Sequence, residues 1–364
     1  MKLKFEKGNL LSGLQIVSKA TPNHTMQPIL ECVMIEATEN EVTLKATDME
    51  LACITKVEGE VSEPGAICIE AKMFLQIVSK MPNGDIVLKA DDKQAQISCG
   101  KVKFSVSVRD AGIFPKISDV EEADEVVVSQ FTMKEVISKT IFSIAADSSQ
   151  KVMTGGLLKI DGDRLSLTTL DGYRISIRQT DLRKSYDPVQ AIVPGKTLSK
   201  VNKILSGDAD KDVTIAFTEN QVLFKFDNTT VISRTIDGAF FDIARVINTQ
   251  HTISITVDRQ AFTGCIDRGT LLTKEGEKKP IIMQTNGDAI EMRIASAMGS
   301  MDEKLDAVRS GDDIEIGLNP RYLIDCLKAI DDDEITMFMT NAKSPCIIRD
   351  RESYLYCVLP INFK

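Results

Sequence analysis

The side chains best suited to catalysis in this sequence are three aspartates, Asp48, Asp171 and Asp237, each of which stands where the chain is expected to turn. Neighbouring carboxylates can perform general acid–base reactions when their environments push their pKa values apart. These three, however, occupy equivalent turn positions in different repeats, and aspartate before glycine is a common turn former. No phosphate-binding glycine loop, Gly-x-Ser-x-Gly motif or metal-ligand cluster accompanies them, so we expect no enzyme active site.

Cysteine and histidine offer little metal or redox chemistry. The 8 cysteines lie mostly within apolar runs and form no Cys-x-x-Cys pair, and the 2 histidines are His24 and His251. This usage is typical of buried free thiols in a reducing cytoplasm. We therefore expect no metal and no cofactor.

The turns that carry the aspartates belong to a pattern that occurs three times. Each copy contains a helix-like segment, a polar break and three β-rich runs, with helices that begin near Lys72, Lys196 and Arg321. Between Lys196 and Leu205 the apolar residues recur at helical spacing, and β-rich runs follow as far as Thr235. Because the copies are roughly 120 residues apart, they suit three similar domains and not a solenoid of short repeats.

Length and composition agree with this organisation. The chain has 364 residues, of which 43% are hydrophobic and 27% are charged, so it is long for one core and ordinary for a globular protein. It has no signal-peptide pattern at its start and no 18-residue apolar span. We predict an α+β fold of three domains, 1–125, 126–250 and 251–364, each built from two strand–helix–three-strand units.

Some elements are predicted in more detail. In the second domain, one helical face is expected to carry Met133, Val136, Ile137, Ile141 and Ile144, and strands are expected at Gly156–Ile160, Leu165–Thr169 and Tyr173–Gln179. The helix Ala261–Leu272 should be the weakest, since glycine in a helix interior costs up to ~1 kcal/mol and this one has Gly264 and Gly269. Linkers are expected at Asp119–Glu125 and Thr249–His251.

Charge is distributed unevenly along the chain. The six predicted helical segments together carry +9, which leaves about −18 for the rest of a chain whose net charge is −9. Lysine is a good helix former on solvated faces, which is one explanation. Equivalent helices of repeated domains should, however, lie on equivalent surfaces, and surfaces that faced a common hole would make it cationic. Such a hole suits duplex DNA, and no motif for reading bases is present.

Short motifs occur in a fixed order along the chain. They are Phe5 and Leu11 with Val17-Ser18, Pro28-Ile29-Leu30, Ala46-Thr47-Asp48, Thr154-Gly155, Leu170-Asp171-Gly172-Tyr173-Arg174, Ile236-Asp237-Gly238 with Phe240, and Val358-Leu359-Pro360-Ile361. Through these motifs the chain resembles a known family, the β subunit of bacterial DNA polymerase III, or sliding clamp. Each motif alone is common, but their order and spacing extend over the whole chain.

The resemblance implies a DNA-clamp fold and a head-to-tail homodimeric ring that slides on duplex DNA. It implies a cytoplasmic, nucleoid-associated processivity factor without catalysis, which tethers the replicative polymerase, repair polymerases and mismatch-repair proteins. An ATP-driven clamp loader would open the ring.

The resemblance also implies an apolar cleft between the second and third domains, into which partners insert a short peptide. The matching residues are Met153, Leu170, Gly172, Tyr173, Arg174, Ile175, Phe241, Arg245, Val246, Cys357, Leu359 and Ile361. Apolar side chains with two arginines to orient a polar or acidic motif are what such a groove requires. Leu170 and Phe241 replace the family's usual threonine and proline, so motif preference should differ, and Phe363 is expected to cover part of the pocket.

Two further surfaces follow from charge and resemblance together. The residues expected to face DNA are His24, Lys72, Lys80, Lys151, Lys196, Lys200 and Lys203. At the dimer seam, Phe104 and Val106 of one protomer are expected to meet Leu271 and Leu272 of its partner, since apolar strand edges can join into one sheet. Solvated lysines and interior leucines are the alternatives.

One other class of function remains open besides the ring. A three-domain adaptor would share an apolar cleft and an acidic exterior but would bind proteins without encircling DNA. Such an adaptor would be a stable monomer at micromolar concentration, whereas the ring requires a dimer.

Overall fold

The computed structural model describes residues 1–22, 24–117, 124–247, 250–273, 279–350 and 353–363. The chain divides into two compact units, one of residues 1–134 and 196–235 and the other of residues 135–195 and 236–364. The α-helices are α1 Lys7–Val17, α2 Ala71–Lys80, α3 Gln130–Ser138, α4 Gly195–Ile204, α5 Ala244–Ile247, α6 Arg259–Thr270 and α7 Pro320–Ala329.

The strands alternate with these helices along the chain. They are β1 Lys2–Glu6, β2 Cys32–Ala37, β3 Val42–Thr47, β4 Leu51–Val57, β5 Glu60–Glu63, β6 Gly65–Glu70, β7 Asp85–Ala90, β8 Gln94–Cys99, β9 Val102–Ser107, β10 Asp124–Ser129, β11 Gly155–Leu170, β12 Arg174–Pro194, β13 Asp212–Phe217, β14 Gln221–Phe226, β15 Thr229–Arg234, β16 Ile253–Asp258, β17 Ile281–Asn286, β18 Ala289–Ser296, β19 Gly299–Asp306, β20 Val308–Ser310, β21 Glu315–Leu318, β22 Glu334–Met339, β23 Cys346–Asp350 and β24 Tyr354–Val358.

Each unit contains two antiparallel sheets. The first unit has a five-stranded sheet in the order β5-β1-β7-β8-β9 and an eight-stranded sheet in the order β10-β13-β14-β15-β4-β3-β2-β6. The second unit has a seven-stranded sheet in the order β11-β12-β24-β23-β22-β16-β20 and a four-stranded sheet in the order β19-β18-β17-β21. The predicted strand–helix–three-strand order is therefore confirmed, except that in the second domain strands expected to be separate run together as β11 and β12. Strands β5 and β20 are short additions.

In the six helices other than the short α5, the fourth residue is buried in a core. These residues are Leu10, Phe74, Met133, Leu198, Phe262 and Leu323, and each is 0% exposed. Burying one such side chain contributes roughly 1.5–3 kcal/mol, so this shared apolar position helps to hold each of the six helices in place.

The repeat is also visible in the hydrogen bonds that join the first helix of each copy to the end of the second. The backbone N–H of the first helical residue donates to a carbonyl beyond the second helix in all three copies. The pairs are Lys7 to Gly84 at 3.3 Å, Gln130 to Lys211 at 2.7 Å, and Arg259 to Asp333 at 2.7 Å. A bond repeated at equivalent positions shows that the copies share one construction.

Cations of the first helices are used in the same link. Lys7 Nζ donates to the carbonyl of Met81 at 2.5 Å, and Arg259 Nε donates to the carbonyl of Asp332 at 2.5 Å. In the second copy, Lys134 Nζ donates to the carbonyls of Asn202 and Leu205, both at 2.9 Å. A cation at these positions satisfies carbonyls that helix ends leave unpaired and complements the negative end of the helix dipole.

Two predictions for the second domain are wrong. Helix α3 ends at Ser138, and Ile141–Ser143 forms a separate 3₁₀ turn, because the buried Thr140 hydroxyl donates to the Val136 carbonyl at 2.8 Å and the chain turns there. The strands expected at 156–160 and 165–169 are one strand, β11, and the third continues to Pro194 as β12. Register shifts around Gly162, whose φ is +63°, absorb what looked like a break.

Helix α6 forms over twelve residues in spite of its glycines. The Asp258 carboxylate caps it by accepting from the Ala261 N–H at 2.7 Å. A Cβ on Gly269 would lie 3.3 Å from a methyl group of Ile281, so glycine at this position lets the helix approach strand β17 closely. The glycines that weaken the helix in isolation therefore fit its packing.

Several remaining predictions concern places outside these elements. Of the predicted linkers, residues 119–123 and 249 lie outside the described residues, and Asp124 and Glu125 already belong to β10. All eight cysteines are free and buried, as predicted, and burial raises the pKa of the Cys53 and Cys265 thiols to about 12. Within the described ranges, every helix is too short or too polar to span a bilayer.

Candidate peptide cleft and nucleic-acid surface

The turn between β11 and β12 presents the central residues of the predicted cleft. The Asp171 carboxylate accepts from the N–H groups of Tyr173 at 3.0 Å and Arg174 at 3.1 Å, which fixes the turn. Gly172 has φ +87° with open space around its Cβ position, so its backbone conformation and not crowding requires glycine. Asp171 is therefore occupied as a turn former.

The equivalent turn in the first domain is built the same way. Asp48 Oδ1 accepts from the N–H of Glu50 at 3.1 Å and of Leu51 at 2.8 Å. Met49 between them has φ +76°, the conformation that Gly172 adopts in the other copy. Turn formation, predicted as the reason for these aspartates, is thus observed for Asp48 and Asp171, while Asp237 is exposed.

The C-terminal segment lies beside this turn. Strand β24 pairs with β12, with Ile175 opposite Cys357, and the N–H of Leu359 donates to the carbonyl of Tyr173 at 2.8 Å. Further on, the N–H of Ile361 donates to the carbonyl of Gly317 at 2.8 Å. Residues that are far apart in sequence are thereby brought to one place within the second unit.

The predicted cleft residues differ in how much surface they offer. Tyr173, Leu359 and Phe241 are exposed by 50%, 39% and 37%, which is unusual for large apolar side chains and leaves them available to a ligand. Leu170 and Cys357 are buried and contribute to the interior. Half-buried positions are Met153, Ile175, Val246 and Ile361. The side chain of Arg245 lies outside the described part of the structure.

Arg174 has a different role from the one predicted. Its side chain is only 10% exposed, and its guanidinium donates to Asp171 at 3.0 Å, to Asp325 at 2.6 Å and to the Phe142 carbonyl. The guanidinium carbon also lies 4.2 Å from the centre of the Tyr322 ring. With these donors in use, Arg174 holds the turn against helix α7 and does not point freely at a ligand.

The electrostatics of Arg174 agree with this role. Burial alone lowers the pKa of Arg174, but Tyr356 and the two aspartates outweigh burial and raise that pKa above its ordinary value. Burial likewise raises the pKa of the Tyr356 hydroxyl well above its ordinary value and the pKa of the Cys357 thiol to about 12. Near neutral pH, the interior beneath the Asp171 turn therefore holds a paired cation and neutral hydroxyl and thiol groups.

Sequence reasoning missed three members of this network: Phe142, Tyr322 and Asp325. Tyr322 and Asp325 are three residues apart on α7 and so lie on one face, which is a signal that helical spacing could have given. Phe142 contributes a carbonyl from a 3₁₀ turn, and nothing in its sequence neighbourhood marks it.

The second residue of each of these six helices is exposed, and in three of the helices it is a cation. The six residues are Gly8, Lys72, Phe131, Lys196, Gln260 and Arg321. At this position, the cations are therefore on α2, α4 and α7, the second helix of each copy, and not on the first helix of each copy. Among the described residues, the side chains of Lys72, Lys80, Lys196, Lys203 and Lys328 have no hydrogen-bond or ion-pair partner.

The other residues expected to face DNA are in varied situations. His24 and Lys151 are exposed. Lys200 is half-buried and forms an ion pair with Asp48 at 3.1 Å, so its charge is already compensated within the first unit. The expectation that Lys200 binds phosphate is therefore not supported by its surroundings.

The four residues predicted for a dimer seam also differ in their exposure to solvent. Phe104 and Leu271 are exposed, whereas Val106 is buried within the chain and Leu272 packs partly on the core of the second unit. Phe104 lies on β9 and forms part of an outer sheet edge. Within the described ranges, no group of three or more histidine, cysteine, aspartate or glutamate side chains is placed to hold a metal ion.

Comparison with known proteins places this architecture in one family. Three family models of the DNA polymerase III beta subunit match in order: its N-terminal domain at residues 1–118, its central domain at 127–242 and its C-terminal domain at 244–361. The beta sliding clamp of Staphylococcus aureus is 32% identical over 375 residues, covering 100% of this chain and 99% of that protein.

Solved structures give the same result. A putative DNA polymerase III beta subunit from Eubacterium rectale superposes with a TM-score of 0.97 and 45% identity, covering 100% of this chain and 99% of that one. The DNA polymerase sliding clamp of Bacillus subtilis superposes with a TM-score of 0.95 and 27% identity, and both chains are covered fully. The chain belongs to the DNA polymerase III β subunit family, the sliding clamps, and is a DNA polymerase processivity factor and not an enzyme.

Proposed function

We propose that this chain closes into a head-to-tail homodimeric ring around duplex DNA and holds a replicative polymerase by a peptide segment in the cleft around Tyr173 and Leu359. We also propose three domains. The first junction lies ahead of Asp124, because β10 begins there, and not at 125/126, and the second lies near 250/251. The site of action would be the cytoplasm, at the nucleoid. An ATP-driven clamp loader, repair polymerases and mismatch-repair proteins are further proposed partners.

The main support for a ring is a regularity in the way the strands pair. Each domain has two strand–helix–three-strand units. The strand that ends the first unit of one domain pairs with the strand that ends the second unit of the next domain. Thus β4 pairs with β15, and β12 pairs with β24. Of the six strands that end such a unit, β9 and β19 are the remaining two, and each is an outer strand of its sheet.

The same rule applied between two copies would pair β19 of one protomer with β9 of its partner. Such a contact satisfies backbone groups that an isolated protomer exposes along both edges. It is head-to-tail, and two such contacts close a dimer. Charge favours it as well, since Lys101 and Lys103 stand at β9 while Asp302 and Asp306 are exposed on β19.

The cationic helix faces support duplex DNA as the occupant of the ring. Phosphate attracts lysine without regard to base sequence, and uncompensated lysines on α2, α4 and α7 suit a surface that must slide. Cations of the first helices are occupied with helix ends, as Lys7 and Lys134 show. We therefore propose that the main phosphate contacts are Lys72, Lys80, Lys196 and Lys203, and that His24 and Lys151 are secondary ones. Lys200 is not among them, because it is paired with Asp48.

The cleft is supported by the exposure of its apolar residues and by the rigidity of the turn that presents them. Arg174 ties the turn to Asp325 on α7, so Tyr173 is held in place before a ligand arrives. A preformed apolar groove reduces the entropy cost of binding an extended peptide.

A loading experiment tests the ring directly. The protein is loaded by the clamp loader and ATP onto nicked circular DNA, separated from free protein, and then the DNA is cut once with a restriction enzyme. A ring is expected to slide off the new ends within minutes, whereas it stays on the uncut circle. Retention after linearisation would contradict topological binding, and a stable monomer at micromolar concentration would favour a protein-binding adaptor.

The wall lysines make a second prediction. Replacing Lys196 and Lys203 by alanine should weaken duplex binding and reduce the slope of log affinity against log salt by about one for each phosphate that is no longer neutralised. Fluorescence anisotropy with a labelled duplex, measured over a series of salt concentrations, gives both quantities. Lys45→Ala with Lys56→Ala is the matched control, because both lysines are paired with glutamates, Glu36 and Glu41. An equal effect in the control would remove these helix faces from the proposal.

A charge swap tests the seam. Changing Lys101 and Lys103 to glutamate should weaken the dimer about 10- to 100-fold in sedimentation, because like charges would then face each other. Adding Asp302→Lys and Asp306→Lys in the same chain should restore it. Lys2→Glu with Lys89→Glu changes the same charge on β1 and β7, strands of the same sheet that do not touch β9, and should leave the dimer intact. Failure of the second pair of changes to rescue the first would argue against a β9–β19 seam.

For the cleft, Leu359→Asp places a carboxylate among apolar side chains. Binding of the source organism's replicative polymerase, measured by biolayer interferometry, should fall by about tenfold or more. The dimer and the duplex affinity should not change. Val308→Asp is the control, since Val308 is an exposed apolar residue on β20. Unaltered polymerase binding in Leu359→Asp would mean that partners dock elsewhere.

A further inference from the structure

The end of the chain forms an extended strap after β24. Its backbone is held at two alternate residues, through the N–H of Leu359 to the Tyr173 carbonyl and the N–H of Ile361 to the Gly317 carbonyl, both at 2.8 Å. Apolar residues 359, 361 and 363 alternate with Pro360 and Asn362, which is the period of a strand. The strap is thus held on both sides of Pro360.

Beyond these two bonds, the ring of Phe363 rests on Gly317. A Cβ at Gly317 would come within 2.6 Å of the Phe363 Cδ1 atom and 2.8 Å of the Ile361 carbonyl oxygen. Only glycine leaves room for the ring and the strap together. Gly317 belongs to β21, the outer strand of its sheet, so the strap also covers an edge that would otherwise be open. Phe363, which was expected to cover part of the pocket, therefore contacts Gly317.

We propose that Phe363 and Gly317 form an anchor that positions the strap, so that Leu359 and Ile361 stand as a wall of the cleft before a partner peptide binds. This inference rests on the proposed function of the cleft. The anchor sits at one end of the strap and Leu359, which is exposed beside Tyr173, sits at the other. Pro360 limits the conformations of the segment between them, so order at one end is transmitted to the other.

The anchor sets the fraction of molecules in which the strap is in place, and it does not itself contact the ligand. When the ring of Phe363 is absent, only part of the molecules hold the strap in place, and the apparent affinity for a peptide falls in proportion to that fraction. The affinity is expected to fall about three- to tenfold. Gly317→Ala should weaken binding at least as much, because a methyl group there meets both the ring and the backbone of the strap.

The test uses the full-length protein and the replicative polymerase of the same organism as the probe. Phe363→Ala is expected to bind the polymerase about three- to tenfold more weakly and to exchange the Ile361 amide hydrogen faster by a similar factor. Phe363→Tyr keeps the ring and should behave as the wild type in both measurements. Phe131→Ala is the matched control, because it removes an exposed phenylalanine of helix α3. Sedimentation confirms that every variant keeps its assembly.

Each outcome decides something different. Unchanged amide exchange in Phe363→Ala would overturn the anchor. Faster exchange with unchanged or tighter polymerase binding would overturn the positioning role, since the strap would then be irrelevant or obstructive. If the wild type fails to bind polymerase, the proposed cleft function falls, while the exchange measurement still tests the anchor by itself.

Discussion

The structure depends above all on the need of every strand edge to find a partner. A strand that is unpaired on one side presents a row of N–H and carbonyl groups whose hydrogen bonds must come from somewhere. In this chain the repeat supplies them, since the strand that ends one strand–helix–three-strand unit pairs with the strand that ends another. The pairings of β4 with β15 and of β12 with β24 make continuous sheets out of segments that are distant along the chain, as Thr55 and Thr229 show at 2.9 Å between their hydroxyls.

The helices obey a second constraint, the neutralisation of their own ends. In each copy the first helix supplies a side chain or backbone donor to carbonyls at the end of the second, as Lys7 does for Met81 and Arg259 for Asp332. These cations of the first helices are thereby used in folding, whereas Lys72, Lys80, Lys196, Lys203 and Lys328 of the second helices are exposed. Lys200 of α4 is an exception, since it pairs with Asp48. Net charge per segment does not reveal which of these cations are paired.

The region around the Asp171 turn, where we propose the cleft, depends on strand pairing and on paired charge. The pairing of β24 with β12 brings the C-terminal residues beside the Asp171 turn, and Arg174 fixes that turn against α7 through Asp325. An arginine in such a network costs desolvation, which its two carboxylates and the Tyr322 ring offset. The apolar residues that remain exposed, Tyr173 and Leu359, are then held on a rigid support, which is what a peptide-binding surface needs.

By itself the sequence determined the three-fold repeat, the order of helices and strands, the burial of the cysteines and the family, because apolar periodicity and turn chemistry are local properties. It could not show that Lys200 pairs with Asp48, that Arg174 is enclosed by Asp325 and Phe142, or that β11 continues through Gly162. Those outcomes join residues distant along the chain, and only tertiary packing decides which charges meet. Exposure in a repeat is likewise a tertiary property: equivalent second positions carry lysine in α4 and phenylalanine in α3, and both are exposed because the sheet below fixes the helix face.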